Sequence, residues 1–558
     1  MSIEAVFAEP DQASAPARAH KVRVSWTYLT WAFVALGVAV RLFHYFDNRS
    51  LFMDEAYQAN SLIRMGFGEL ATQPLEFDQK APLGFLWLLR LAVLVIGKGE
   101  MALRFFPLLA GIASLLLFVP VARYFLRPVG AAVALGMLAL APYLIYHGVE
   151  AKPYGLDLLV TIIYLFLYTR YHDKNDTKSL IQWGLWGAVL VWFSFPAVFI
   201  VAGMAAGVSL YYLLTKQGTR FWRSLIPFGM WLVSFGLSYL LFTGKRTESG
   251  WLIIWYRYRD AFMPLPPTSL ADFKWILIQL YLLLDYPLGL LVTHSVLGSN
   301  LPRLLLRVVP IGAALLGLVS FYRKDKKFLL VLVFPFLLAL AASGLERYPF
   351  HERLLVFLAP FVLLLVARGA EEAAYYFTTL PRVVLPALLL APPLVTSVSQ
   401  VADTTQFIGL RKTYFREAFQ YVEQHFQPGD VVYLYWNHDA PYRYYKEAYL
   451  LNSLRYHAIV GHDLRPQSKN MEEYVGKTTD EVKAVAGKHR VWLLYNDMVG
   501  GQGDIEGDPA WFYEGHVRVG DKIRDKLALT TPQKDEFVRV GVAARLFDLR
   551  EYADNSTK

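Results

Sequence analysis

Between Ser25 and Val398 the chain repeats one pattern: apolar runs of about 17–25 residues separated by short polar loops. Hydrocarbon offers backbone amides no partner except one another, so runs of this length fold as helices that cross a membrane. Only 18% of the chain is charged, against roughly 25% in a soluble domain. Spans are expected at 26–46, 103–122, 129–147, 154–170, 180–194, 196–214, 223–243, 304–321, 328–344, 352–369 and 381–398. Two further apolar stretches, 82–97 and 274–293, are compromised: the first is short and holds Arg90, the second holds Asp285-Tyr286-Pro287.

The basic loops set the orientation. With the N-terminal tail (Arg18, Lys21, Arg23) in the cytoplasm and the two compromised stretches not crossing, "RYFLRP", "TRYHDKNDTK", "KQGTRFWR" and "FYRKDKK" all face the cytoplasm. This predicts a polytopic α-helical membrane protein of about 11 transmembrane helices, or about 13 if both stretches cross. Either number is odd, which places the C-terminal region outside the cytoplasm. Three regions follow: a disordered cytoplasmic tail (1–25), a membrane domain (26–400) with interfacial helices in the 47–97 loop and an outer loop at 244–293, and a soluble extracytoplasmic α/β domain (401–558). In the last, "VVYLYW", "AIVG", "RVWLLYN" and "ARLFDLR" read as strands, 414–426 and 471–487 as helices, and "GGQGD" as a plain surface loop.

Several chemistries are excluded. The net charge of +9 resides mostly in loops that orient the spans, and no basic stripe supports nucleic-acid binding. There is no cysteine, hence no disulfide and no thiolate metal site. The His-Glu-x-x-His, Walker and Gly-x-Ser-x-Gly signatures are missing. The first apolar run lacks a small-residue cleavage site and reads as an uncleaved helix. The sequons at Asn48, Asn175 and Asn555 are near chance and decide nothing.

What remains is a set of charges gathered at the outer face. Asp54 and Glu55 open a stretch whose Ala56, Ala59, Leu62 and Ile63 share one helical face. Asp54 is either a helix N-cap or a carboxylate kept ionised to accept a proton. Lys80, in "DQKAPLGF", is either a snorkelling anchor or an ammonium that holds a phosphate. Glu150 and Lys152, in "YHGVEAKPYGLDLL", are charges close to hydrocarbon; they could pair with each other or serve a site. Arg347, His351 and Arg353 crowd the turn "GLERYPFHERLLVF", where arginine suits phosphate oxygens.

Taken in order, "MDEAY", "DQKAPLGFLWLL", "GKGEMALRFFPLLAG" and "GVEAKPYGLDLL" resemble the N-terminal half of the GT-C glycosyltransferases. The branch they look most similar to holds the bacterial protein O-mannosyltransferase-like, aminoarabinose-transferase-like and rhizobial galacturonosyltransferase-like enzymes. The resemblance covers residues 26–240 and extends loosely over the remaining spans. It implies transfer of one sugar, with inversion, from a polyprenyl-phosphate carrier in the plasma (inner) membrane. The acceptor would be a hydroxyl on a glycan, glycolipid or protein at the outer face. By resemblance Asp54, of the Asp54-Glu55 catalytic pair, is the base, Lys80 contacts the lipid phosphate, and Glu150, Lys152 and Tyr154 belong to the turn that closes the site. Gln79 stands where relatives carry an ion-binding Glu or His, so no cofactor is expected and a divalent metal lacks support. The competing readings are a transporter or flippase of a lipid-linked sugar and a non-catalytic subunit of a polysaccharide export assembly.

Overall fold

The computed structural model describes residues 25–244, 250–291, 300–376, 383–407, 413–448, 454–496, 501, 503, 507–515 and 517–550. The N-terminal tail, the start of the 244–293 outer loop, most of "GGQGD" and the sequon at Asn555 lie outside them. Among the described residues, eight helices are long and apolar enough to cross a membrane, not the 11 or 13 expected: Trp26–Phe46, Glu100–Phe125, Ala197–Leu214, Gly218–Thr243, Leu306–Lys324, Lys326–Gly344, Glu352–Tyr376 and Val384–Ala402. Glu352–Tyr376 is the most enclosed, with 89% of its apolar window buried, against 28% for Leu306–Lys324, which turns outward.

The three expected spans that fall short do so for local reasons. Tyr154–Tyr171 reaches 18 residues but carries Asp157 and Arg170. Thr177–Leu190 stops after 14 residues in a short 3-10 turn. The 129–147 run breaks into Pro128–Leu140 and Pro142–His147. Proline has no N–H and forces its predecessor out of the helical region, and Ala141 accordingly sits at ψ 113°. Carbonyls freed by such a break inside an apolar core need other donors. Arg41, buried in the first spanning helix, donates to Leu138 (3.1 Å) and Ala139 (3.3 Å), and Ser397 to Leu140 (2.6 Å). Of the compromised stretches, the first forms the 14-residue helix Leu83–Ile96 and the second overlaps Leu270–Leu282.

Beyond Ala402 the chain builds a five-stranded sheet of β1 (Val431–Leu434), β2 (Ile459–Val460), β3 (Arg490–Tyr495), β4 (Gln533–Arg539) and β5 (Val542–Asp548), in the order β2-β1-β3-β5-β4. β1 runs parallel to β2 and β3, and β5 antiparallel to β3 and β4. The sequence pattern locates all but β4, an edge strand reading "QKDEFVR" whose charges hide its alternation. Phe415–His425 and Met471–Ala486 are helices, as the periodicity predicts.

This domain sits directly on the membrane part. The helix Asp439–Glu447 packs over the helix Met53–Arg64, where Asn60 donates to the carbonyl of Ala440 (2.9 Å) and Arg64 binds Glu447. Arg416 reaches Glu100 at 2.6 Å, and the Tyr445 hydroxyl donates to the same carboxylate at 3.1 Å.

Two membrane helices cross at glycines. A Cβ on Gly369 would lie 1.7 Å from the Ala313 carbonyl oxygen, and one on Gly317 1.9 Å from that of Leu365. Gly369→Ala should therefore force the helices apart and cost about 1–3 kcal/mol. The check is a lower thermal midpoint of the purified protein in detergent; an unchanged midpoint would contradict this packing.

Candidate functional site

The site grows from one buried carboxylate. Glu55 lies in the first turn of Met53–Arg64 and is fully buried. Its Oε1 accepts from Arg104 Nε (3.0 Å) and the Ala151 amide (2.9 Å), and its Oε2 from Arg104 Nη2 (2.9 Å) and the Phe52 amide (3.0 Å). Arg49 adds a second cation at 3.6 Å. Arg104 in turn donates to the carbonyls of Arg49 (2.6 Å) and Ser50 (3.3 Å). Burial by itself would raise the Glu55 pKa, but the paired guanidinium groups and the Ala151 amide hold it well below the ordinary carboxylate range.

Two neighbours of these anchored residues, Asp54 and Lys152, lie beside the buried pair, and of them Asp54 is partly exposed. Asp54, one residue before Glu55, stands in the first helical turn, while Phe52 occupies the N-cap position, so Asp54 is not the cap. Its Oδ2 accepts from Arg353 Nη1 at 2.6 Å. Arg353 also lies 5.7 Å from the centre of the Tyr154 ring and bonds the Tyr256 hydroxyl. Lys152, one residue after Ala151, is buried and donates to Gln79 Oε1 at 2.7 Å. Burial pushes its pKa down, and the nearby Asp54 and Glu150 carboxylates partly oppose the shift.

The approach of Gln79 and Lys80 depends on a sharp reversal, with Phe77 and Asp78 both in the left-handed region at φ 55° and 49°. Phe77 stacks on Tyr57 (4.9 Å) at the turn. Lys80 follows on the loop, half-buried. Glu150 turns to His147, which takes its Oε2 at 2.8 Å through Nδ1 and meets the Tyr286 hydroxyl through Nε2 at 2.5 Å. The tight turn between them needs Gly155: a Cβ there would lie 2.6 Å from the His147 carbonyl oxygen.

The structure thus brings together Asp54, Lys152, Tyr154 and Arg353, with Glu150 beside them, and sets Glu55 behind them. His351 lies further out, against the rings of Tyr256 (6.1 Å) and Trp255 (6.4 Å). Arg347 is exposed on the rim, where neighbouring Glu346 pairs with Arg257. Sequence reasoning missed Arg104, Arg49, His147, Tyr256 and Tyr286. A buried charge within an apolar run was the available signal for Arg104. Among the described residues no three His, Cys, Asp or Glu side chains are placed to hold a metal ion. The Gln79 oxygen faces the Lys152 ammonium, an arrangement that does not fit a divalent cation at that position.

Against this geometry stand the likenesses to known proteins. The family model of dolichyl-phosphate-mannose-protein mannosyltransferases matches residues 80–241. No curated protein matches the chain. The crystal structure of ArnT from Cupriavidus metallidurans bound to undecaprenyl phosphate shares 13% identity and a TM-score of 0.51, over 93% of this chain and 98% of that one. The Archaeoglobus fulgidus oligosaccharyltransferase in complex with zinc and sulfate gives 13% identity and a TM-score of 0.42, over 83% and 67% of the two chains. The first of these shows a shared fold.

The Glu55 pair makes a prediction about acid. A carboxylate whose pKa is lowered on folding contributes stability that is complete above its unfolded value of 4.5 and is lost as pH falls below it. Glu55→Gln should lower stability near pH 7 by about 3 kcal/mol and flatten the decline of the thermal midpoint below pH 4.5. A variant with the wild-type midpoint at both pH values would remove Glu55 from this role.

Proposed function

We propose that this chain is a membrane glycosyltransferase of the GT-C type, moving one sugar from a polyprenyl-phosphate carrier to an acceptor hydroxyl at the outer membrane face. The observation that carries the reading is the cluster in which Asp54, partly open to solvent, is held by Arg353 beside Lys152, with Lys80 on the adjoining loop; that opening is the proposed reaction cleft. A carboxylate beside cations at the headgroup level matches a donor whose phosphate and sugar lie at that depth. The partial family match and the fold shared with ArnT support the same reading.

In the reaction, Asp54 accepts the proton of the acceptor hydroxyl as its oxygen attacks the anomeric carbon. The bond from that carbon to the phosphate oxygen breaks, and its electron pair leaves with the polyprenyl phosphate. Attack opposite the leaving group inverts the anomeric centre. Arg353 orients Asp54. Lys80 and Lys152 stabilise the charge that grows on the phosphate. Glu55 positions Asp54 and Ala151 without facing the cleft, and Tyr154 and Glu150 form the wall of the turn. The outer-loop helix Gly250–Arg257 and the C-terminal domain would read the acceptor, and His351, Arg347 and their neighbours would line the entrance. The C-terminal domain is then extracytoplasmic.

The test is a panel of undecaprenyl-phosphate sugars presented to the detergent-purified protein. Transfer from one donor is expected, reduced by about 10²–10⁴ in Asp54→Asn and by about 10²–10³ in Lys80→Ala. A fully active Asp54→Asn protein would sink the assignment of the base. Failure of a folded preparation to bind any donor would favour the transporter or scaffold reading.

A further inference from the structure

A second cleft lies at the other end of the bundle. The helix Tyr154–Tyr171 starts at the site just described and runs 18 residues, about 27 Å at 1.5 Å per residue. At its far end the loops "TRYHDKNDTK" and "KQGTRFWR" meet around a narrow crevice that opens to solvent. Lys174, Arg220 and Arg223 form its mouth and are exposed, while Leu180, Trp183 and Tyr212 form a buried floor. No Asp or Glu is among the residues lining it.

The acidic groups nearby are engaged elsewhere. Asp176 accepts from the Ser179 amide at 2.9 Å and caps Thr177–Leu190. Asp173 lies 3.3 Å from the Lys327 ammonium, which also donates to the Tyr212 hydroxyl (2.9 Å). Burial and Lys327 push the His172 pKa down, so its ring adds no positive charge. Arg223 donates to the Asn175 carbonyl, tying one loop to the other. The positive ends of two helices, Thr177–Leu190 and Gly218–Ser238, point toward the same loops.

The surroundings are those of a lipid headgroup region. Trp222, beside Arg223, is 70% exposed, and Ile181 and Leu185 present apolar surface next to the floor. An exposed tryptophan at the end of a spanning helix marks the headgroup level, and the basic loops mark the cytoplasmic leaflet.

We propose that the cleft formed by Lys174, Arg220 and Arg223 binds the phosphodiester headgroup of an anionic phospholipid in the cytoplasmic leaflet. The guanidinium groups take the phosphate oxygens, and the exposed apolar side chains of Ile181, Leu185 and Trp222 take the start of the acyl chains. The site is separate from the transferase cleft, does not rest on the transferase reading, and is read without turnover.

The full chain, purified in detergent, is supplied with equal amounts of phosphatidylglycerol and phosphatidylcholine, and the retained lipids are counted by native mass spectrometry. The wild-type protein should prefer phosphatidylglycerol, and Lys174→Gln/Arg220→Gln/Arg223→Gln should weaken that preference at least about tenfold. Arg220→Gln alone, an exposed change, should give an intermediate loss and guards against misfolding of the triple variant. Arg323→Gln/Lys326→Gln, on another loop assigned to the same face, should leave the preference intact. An equal loss in that control, or none in the triple variant, overturns the proposal. Displacement of the lipid by millimolar inorganic phosphate would overturn the lipid as the source of the phosphate.

Discussion

The buried pairing of Glu55 with Arg104 is the contact on which the outer face of this protein is built. A carboxylate removed from water is strongly destabilising unless its acceptor sites are filled and an opposing charge is close. Here the donors come from the spanning helix Glu100–Phe125, the turn at Ala151 and the chain entering Met53–Arg64. Satisfying one group therefore brings three segments to one point. Asp54 directly precedes Glu55 and Lys152 directly follows Ala151, so both are positioned by the buried carboxylate.

The same accounting of polar groups explains the break at Pro142. Inside the membrane part, carbonyls released by a missing N–H must find other donors, and Arg41 and Ser397 supply them. The break ends the Pro128–Leu140 helix early and lets residues 141–153 fold into the turn that presents His147, Glu150 and Lys152. A continuous helix through this region would have carried these groups along a single axis.

The C-terminal domain is joined to the membrane part by an apolar cluster that includes residues of both, among them Leu51, Ala56, Phe415 and Tyr445, and by directional contacts. Arg416 with Glu100, Arg64 with Glu447, Arg443 with Glu76, and the Tyr445 hydroxyl with the Leu51 amide all cross between the two parts. Such contacts fix one orientation, because a rotated domain would leave several charges without partners. They also join the domain to the segment that carries Asp54.

Much was legible from the sequence alone. Run length and loop charge identify a membrane protein and an orientation, because hydrocarbon thickness and the translocation of basic loops act on local segments. Four strands of the α/β domain were legible from their apolar runs, whereas the charged edge strand β4 was not. Charges close to hydrocarbon pointed to Asp54, Lys152 and Arg353. Among the described residues fewer helices reach membrane length than expected, since hydropathy does not register the break at Pro142 or the early end at Leu190. Apart from the resemblance, the residue pattern did not say which of Asp54 and Glu55 is buried. Adjacent acids look alike in one dimension, but the roughly 100° turn between successive helical residues leaves Asp54 partly exposed and sends Glu55 into the core. Their partners lie 299 and 49 residues away. Those pairings depend on how distant helices pack, and only the tertiary structure decided them.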